Sequence, residues 1–79
     1  MEDRNWIILK SIEELAELQE ILIKTLTKPK GALEDSRLSY LIEEVGDVQL
    51  WITRLQKNLG IEDEVEVRII AKDKTIMTC

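Results

Sequence analysis

The stretch LSYLIEEVGDVQLWITRLQKNLG, residues 38–60, decides the fold. Leu38, Leu41, Val45, Val48, Ile52, Leu55 and Leu59 recur at steps of three and four without a break. That is the rhythm of a helix that lays one face on a neighbouring helix. Gly60 ends the run, where a helix C-terminus takes a left-handed residue. Toward the N-terminus, Lys28-Pro29-Lys30-Gly31 is a plain break, and Asp35 or Ser36 is the candidate cap of this helix.

Before the break, Ile8, Ile12, Leu15, Leu22 and Leu26 keep the same alternation, interrupted by Gln19 and widened by Leu18 and Ile21. A helix is therefore expected to start between Asp3 and Ser11 and to run to about Thr25. Two long helices joined by a break predict an antiparallel hairpin. After Gly60 the pattern is double. Val65-Glu66-Val67-Arg68-Ile69 alternates as a strand would, yet Ile61, Val65, Ile69 and Ile76 also fit a helix. Glu62-Asp63-Glu64 has the acidic character of a first helical turn, which favours a third, shorter helix near residues 62–73. The expected fold is all-α, a helical hairpin plus a short third helix in a single domain over residues 1–79. Ile23, Ile42 and Leu50 fall outside the hairpin seam. Their exposure predicts a homo-oligomer of four-helix-bundle type, a dimer or a dimer of dimers.

Composition narrows the chemistry. The chain has 79 residues, no histidine and one cysteine, Cys79. An internal disulfide, Cys–His or Ser–His catalysis and histidine-ligated zinc are thus excluded within the chain. A metal held here would have oxygen ligands, which suits magnesium, manganese or calcium. With a net charge of −5 and dispersed basic residues, no nucleic-acid partner is expected. The apolar run Trp6-Ile7-Ile8-Leu9 is too short for a membrane span, and acidic residues precede it, unlike the basic start of a signal peptide. A cytoplasmic protein is the expectation.

Carboxylates stand out against this background. Glu14 and Glu17 share a face of the first helix with Lys10, Ile21 and Lys24. On the second helix Tyr40, Glu44, Asp47, Trp51 and Arg54 recur at steps of four, three, four and three, beside the seam. Four acids brought together repel one another unless a hard cation neutralises them. Ordinary explanations exist for each. Ser11-x-x-Glu14 fits a capping box, which would commit Glu14 to a backbone amide. Glu17 could pair with Lys24, Glu13, Glu20 and Glu43 could be solvated, and Glu44 and Asp47 could be flanking charges of a helix pair. Trp6 reads as a packing anchor, and Trp51 or Tyr40 as core, interface or a stacking platform.

The runs Ile12-Glu13-Glu14-Leu15-Ala16-Glu17-Leu18 and Leu41-Ile42-Glu43-Glu44-Val45-Gly46-Asp47-Val48 resemble the MazG-like nucleotide pyrophosphohydrolases of the all-α NTP pyrophosphatase superfamily, marked by E-E-x-x-E followed by E-x-x-D. The resemblance covers about residues 5–73. It implies that Glu14, Glu17, Glu44 and Asp47 hold Mg2+ (or Mn2+) and that a nucleoside triphosphate is cleaved to the monophosphate and pyrophosphate. It further implies Glu13 or Glu17 as the residue that orients or deprotonates water, and Lys24, Arg54 and Lys72 as phosphate partners, with Trp51 or Tyr40 under the base. Gly46, costing up to about 1 kcal/mol in a helix, points to a close helix contact or to room near the metal. Lysine and arginine on the following helix are matched only loosely by Arg68, Lys72 and Lys74. The competing readings are a non-catalytic helical self-association or adaptor module, a degenerate family member, and a calcium-binding structural module, the last without an EF-hand-like loop.

Overall fold

A computed structural model describes residues 3–27 and 35–77 and folds them into three helices, α1 (Arg4–Thr27), α2 (Asp35–Leu59) and α3 (Glu62–Met77), with no strand among the described residues. The predicted break at 28–31 and the side chains of Asp35, Ser36 and Cys79 lie outside the described residues. The strand-like alternation at 65–69 is helical, and α3 runs four residues past its expected end at residue 73.

Local chemistry explains the boundaries. Asp3 starts α1: its side-chain oxygen accepts the Asn5 amide at 3.1 Å and its carbonyl accepts the Ile7 amide. Ser11 is therefore no cap. It lies inside α1, buried, and donates its hydroxyl to the Ile7 carbonyl at 2.8 Å. At the end of α2, Gly60 takes φ +67°. The Gly60 amide bonds the Lys57 carbonyl and the Ile61 amide bonds the Gln56 carbonyl, the paired bonds of a Schellman turn. The Ile61 carbonyl then accepts the Val65 amide and opens α3 at once.

The hairpin of α1 and α2 forms as expected, but its seam is shifted by one residue on α1 and in part on α2, where Leu41, Val48, Ile52 and Leu55 of the expected row are half-buried as predicted. On α1 the most buried positions are Ile7, Ser11, Glu14, Leu18, Ile21 and Thr25, one residue before the row Ile8, Ile12, Leu15, Leu22 and Leu26. On α2 the inward row is Arg37, Leu41, Glu44, Val48, Trp51, Leu55 and Asn58. Leu38, Val45 and Leu59 of the expected seam are exposed instead. Because the helices run antiparallel, one step along each chain turns both rows toward the same side of the hairpin. One side thus carries exposed Ile12, Leu15, Leu22, Leu38, Val45 and Leu59, and the opposite side carries Lys10, Glu17, Lys24, Tyr40, Asp47 and Arg54.

The core of a single chain is correspondingly thin. Only Ile7 and Ile21 are buried apolar residues among those described. The chain exposes 6441 Å², whereas a compact monomer of its mass, 9.2 kDa, would expose about 4,900 Å². Its radius of gyration is 15.4 Å, against about 12 Å for a compact chain of this length. Helix α3 touches α2 only and makes no contact with α1. From Glu66 onward its described side chains are exposed, Ile69 and Ile76 among them. Urea unfolding of single variants tests which residues anchor the hairpin. Ile7→Ala should cost about 2–5 kcal/mol as a cavity in a minimal core, and Asp3→Ala about 1 kcal/mol as a lost cap.

Candidate metal centre

Antiparallel pairing sets residues of α1 against residues of α2 in consecutive levels. Arg4 reaches Asn58 at one end, Trp6 and Lys10 meet Trp51, Glu14 and Glu17 meet Glu44, and Ile21 shares a groove with Arg37 and Tyr40. The one-residue rotation of the seam is what carries Glu14 and Glu44 into the interface. Carboxylate oxygens of Glu14, Glu17 and Glu44 all lie within 4.8 Å of one another. Glu44 is 7% exposed, Glu14 is half-buried and Glu17 is exposed. One oxygen of Glu14 and one of Glu44 are buried without a hydrogen-bond partner.

The electrostatics follow from this crowding. Burial pushes the Glu44 carboxyl up to about 7; contact with Glu17 and the charges of Glu17, Glu14 and Asp47 add to the effect. Glu14 is raised as well, by burial first and then by the charges of Glu17 and Asp47. Asp47 lies outside the three-carboxylate cluster, yet near enough for its charge to bear on both residues. The capping role for Glu14 is overturned, because α1 begins at Arg4 and Glu14 sits mid-helix. A site of this kind, three carboxylates from two helices with unpartnered buried oxygens on Glu14 and Glu44, is suited to a hard divalent cation.

Two flanks border the cluster. On one, Trp6 meets Trp51 edge-on at 5.1 Å between centroids, and Arg54 and Lys10 lie over the Trp51 ring at 4.9 and 5.9 Å. Lys10 also pairs with Glu13 at 3.1 Å, the main reason its ammonium is held protonated. On the other flank, Glu17, Glu20, Ile21, Lys24, Arg37 and Tyr40 line a groove of about 550 Å³. There Lys24 pairs with Glu20 at 3.2 Å, rather than with Glu17. Lys72 stands exposed on α3, away from the α1–α2 seam. A Cβ added at Gly46 would meet nothing within 4 Å, so no close helix contact in the single chain explains this glycine. Arg37 escaped sequence reasoning, although its place seven residues before Glu44 on the inward row was a usable signal.

Comparison with protein-family models, with curated proteins and with solved structures gives no match.

The raised Glu44 carboxyl makes stability depend on pH. An unfolded chain releases this proton near the ordinary 4.5, whereas the folded chain keeps it to about 7. Between those values the folded state binds more protons, so stability falls as pH rises through the window, and the loss is complete above it. Thermal melts in a chelator should show a lower melting temperature at pH 8 than at pH 5. Glu44→Gln should flatten that slope.

Proposed function

We propose that the protein is a divalent-metal-dependent nucleoside triphosphate pyrophosphohydrolase that works as a homo-oligomer. The observation that carries this reading is the trio Glu14, Glu17 and Glu44, with buried oxygens on Glu14 and Glu44 that have no partner. Buried unpaired carboxylate oxygens are costly unless a cation or a proton meets them. The donor set fits magnesium or manganese, all oxygens and no nitrogen or sulfur. Glu14, Glu17 and Glu44 would hold the ion, and Asp47, one turn further along α2, would complete the set.

Bound magnesium supplies positive charge to the triphosphate and acidifies water. The chain's own residues do the rest. Glu17 is the exposed member of the cluster, whereas Glu13 is engaged by Lys10. Water orientation and proton acceptance therefore fall to Glu17. Water oxygen bonds to the α-phosphorus, and the bond from that phosphorus to the bridging oxygen breaks. The electron pair leaves with pyrophosphate, and the water oxygen stays on the monophosphate. Arg54 and Lys10 neutralise the leaving group at one flank.

Self-association is part of the same reading. Ile12, Leu15, Leu22, Leu38 and Leu59 on the apolar side are all exposed in one chain. The excess surface of about 1,500 Å² over a compact monomer falls in the range that one subunit of a permanent homodimer buries. Two hairpins paired through these sides make a four-helix bundle and leave the carboxylate sides outward. Sedimentation should therefore report a mass above the 9.2 kDa of one chain.

The decisive assay is a nucleotide panel with Mg2+ or Mn2+, scoring pyrophosphate against orthophosphate. Pyrophosphate release is expected, with Glu44→Gln and Glu17→Gln lowering it at least about a hundredfold. In parallel, metal should raise the melting temperature of the wild type, and the Glu44→Gln plus Asp47→Asn double variant should lose that rise. No metal-dependent stabilisation and no turnover would leave the self-association module as the better account.

A further inference from the structure

Besides the seam and the apolar row, α2 carries a third strip. Ile42, Gly46, Leu50, Thr53 and Lys57 recur at steps of four, four, three and four, so they share one face of the helix. All five are exposed, and Glu43 borders them, exposed as well. Helix α3 has apolar residues on two opposite faces. Val65, Ile69 and Ile76 form one row, whereas Val67, Ile70 and Ala71 form the other, with Glu64 at its start and Lys74 at its end. A helix that is apolar on both sides is one that neighbours cover on both sides. The first row is half-buried at Val65. The second is exposed throughout, Val67 at 66% and Ile70 at 50%.

We infer that α3 of one copy docks antiparallel on the outer strip of α2 in a second copy, with Ala71 against Gly46 and Val67 against Leu50. The spacings match. Read forward, Glu64, Val67, Ala71 and Lys74 step by three, four and three; read backward, Thr53, Leu50, Gly46 and Glu43 do the same. One register therefore sets the two small residues face to face where the axes come closest, with an apolar pair on the next level. It also sets Lys74 against Glu43 and brings Glu64 within one turn of Lys57, about 6 Å along the axis. A parallel arrangement would instead put Glu64 beside Glu43 and Lys74 near Lys57, so charge selects the antiparallel direction. The chain's own α3 does not occupy this strip. It leaves α2 at the Schellman turn of Gly60, and beyond Val65 its described side chains are exposed, as the strip itself is. Under two-fold symmetry each copy lends its α3 to the other, so the contact is made twice. It is separate from the pairing of apolar sides and does not depend on the hydrolase reading.

Disulfide trapping on the full chain, in a Cys79→Ser background, tests the contact. With Leu50→Cys and Val67→Cys together, mild oxidation should convert most of the protein to a covalent dimer, whereas either substitution alone should give little. A disulfide that leaves the chain monomeric would mean that α3 folds back on its own α2. No disulfide at all would mean that the two faces do not meet. Either result overturns the proposal. Sedimentation then tests the register. Glu43→Lys and Lys74→Glu should each weaken self-association about tenfold, since each change acts at both copies of the contact, and the two combined should return it to within about threefold of the wild type. A combined variant as weak as the single ones would overturn the pairing. Gly46→Leu should act with opposite signs. Leucine favours the helix and has room in the single chain, so the dilute protein should melt at a higher temperature, yet association should weaken because the close approach is blocked. Association left unchanged by Gly46→Leu would overturn the approach of Ala71 to that glycine. Circular dichroism of each variant separates lost association from lost folding.

Discussion

Two antiparallel helices share one seam, and here carboxylates occupy its middle. Everything else follows from that constraint. Ile7 and Trp51 hold the seam at one end and Ile21 at the other, while Glu14 and Glu44 fill the levels between. Burying such groups costs stability, since desolvation and mutual repulsion act together. The chain resolves this without a metal only by keeping a proton on Glu44, whose carboxyl stays protonated to about pH 7. A fold with so few buried apolar residues gains nothing from a charged seam as such. On the metal-binding reading proposed above, a cation would take the place of that proton.

The rotation of the seam shows where sequence reading succeeds and where it stops. The existence of the helices was legible, because the three-four rhythm and the turn at Gly60 each act locally. The third helix was legible for the same reason: its acidic first turn outweighed the strand-like alternation at 65–69. Which of two adjacent rows faces the partner helix was not. Periodicity identifies an apolar stripe, and the most regular stripe in this chain is split: Leu41, Val48, Ile52 and Leu55 are half-buried, whereas Leu38, Val45 and Leu59 are exposed. Spacing alone does not say that Arg37, Glu44, Trp51 and Asn58, rather than Leu38, Val45 and Leu59, share the seam with that half of the stripe.

The site was legible to the same degree and for the same reason. Three- and four-residue spacing put Glu14 with Glu17 and Glu44 with Asp47, and three of these four do converge. The capping-box rival failed because helix starts are set by short contacts of a single side chain with nearby amides, and Asp3 makes them first. Side-chain partners within each helix were less legible. Pairing Lys24 with Glu20 and Lys10 with Glu13, and laying Arg54 over Trp51, are choices among similar helical neighbours that spacing alone leaves open.

Gly46 lies apart from both the seam and the carboxylates. A glycine in the middle of a helix costs about 1 kcal/mol against alanine, and nothing in the single chain crowds its position. It sits between Ile42 and Leu50, which are 64% and 47% exposed, on an outer strip of α2 that neither the seam nor the apolar row uses. A close approach by another helix to that strip would account for the glycine and cover both neighbours. Exposed α3, with Ile69 and Ile76 uncovered, has the apolar length to make such an approach from a second copy. An isolated helix of 16 residues is marginal in water. On the oligomeric reading proposed above, α3 and the outer strip of α2 would be covered by the same partner, and the hairpin's own seam would be one of several contacts in that assembly.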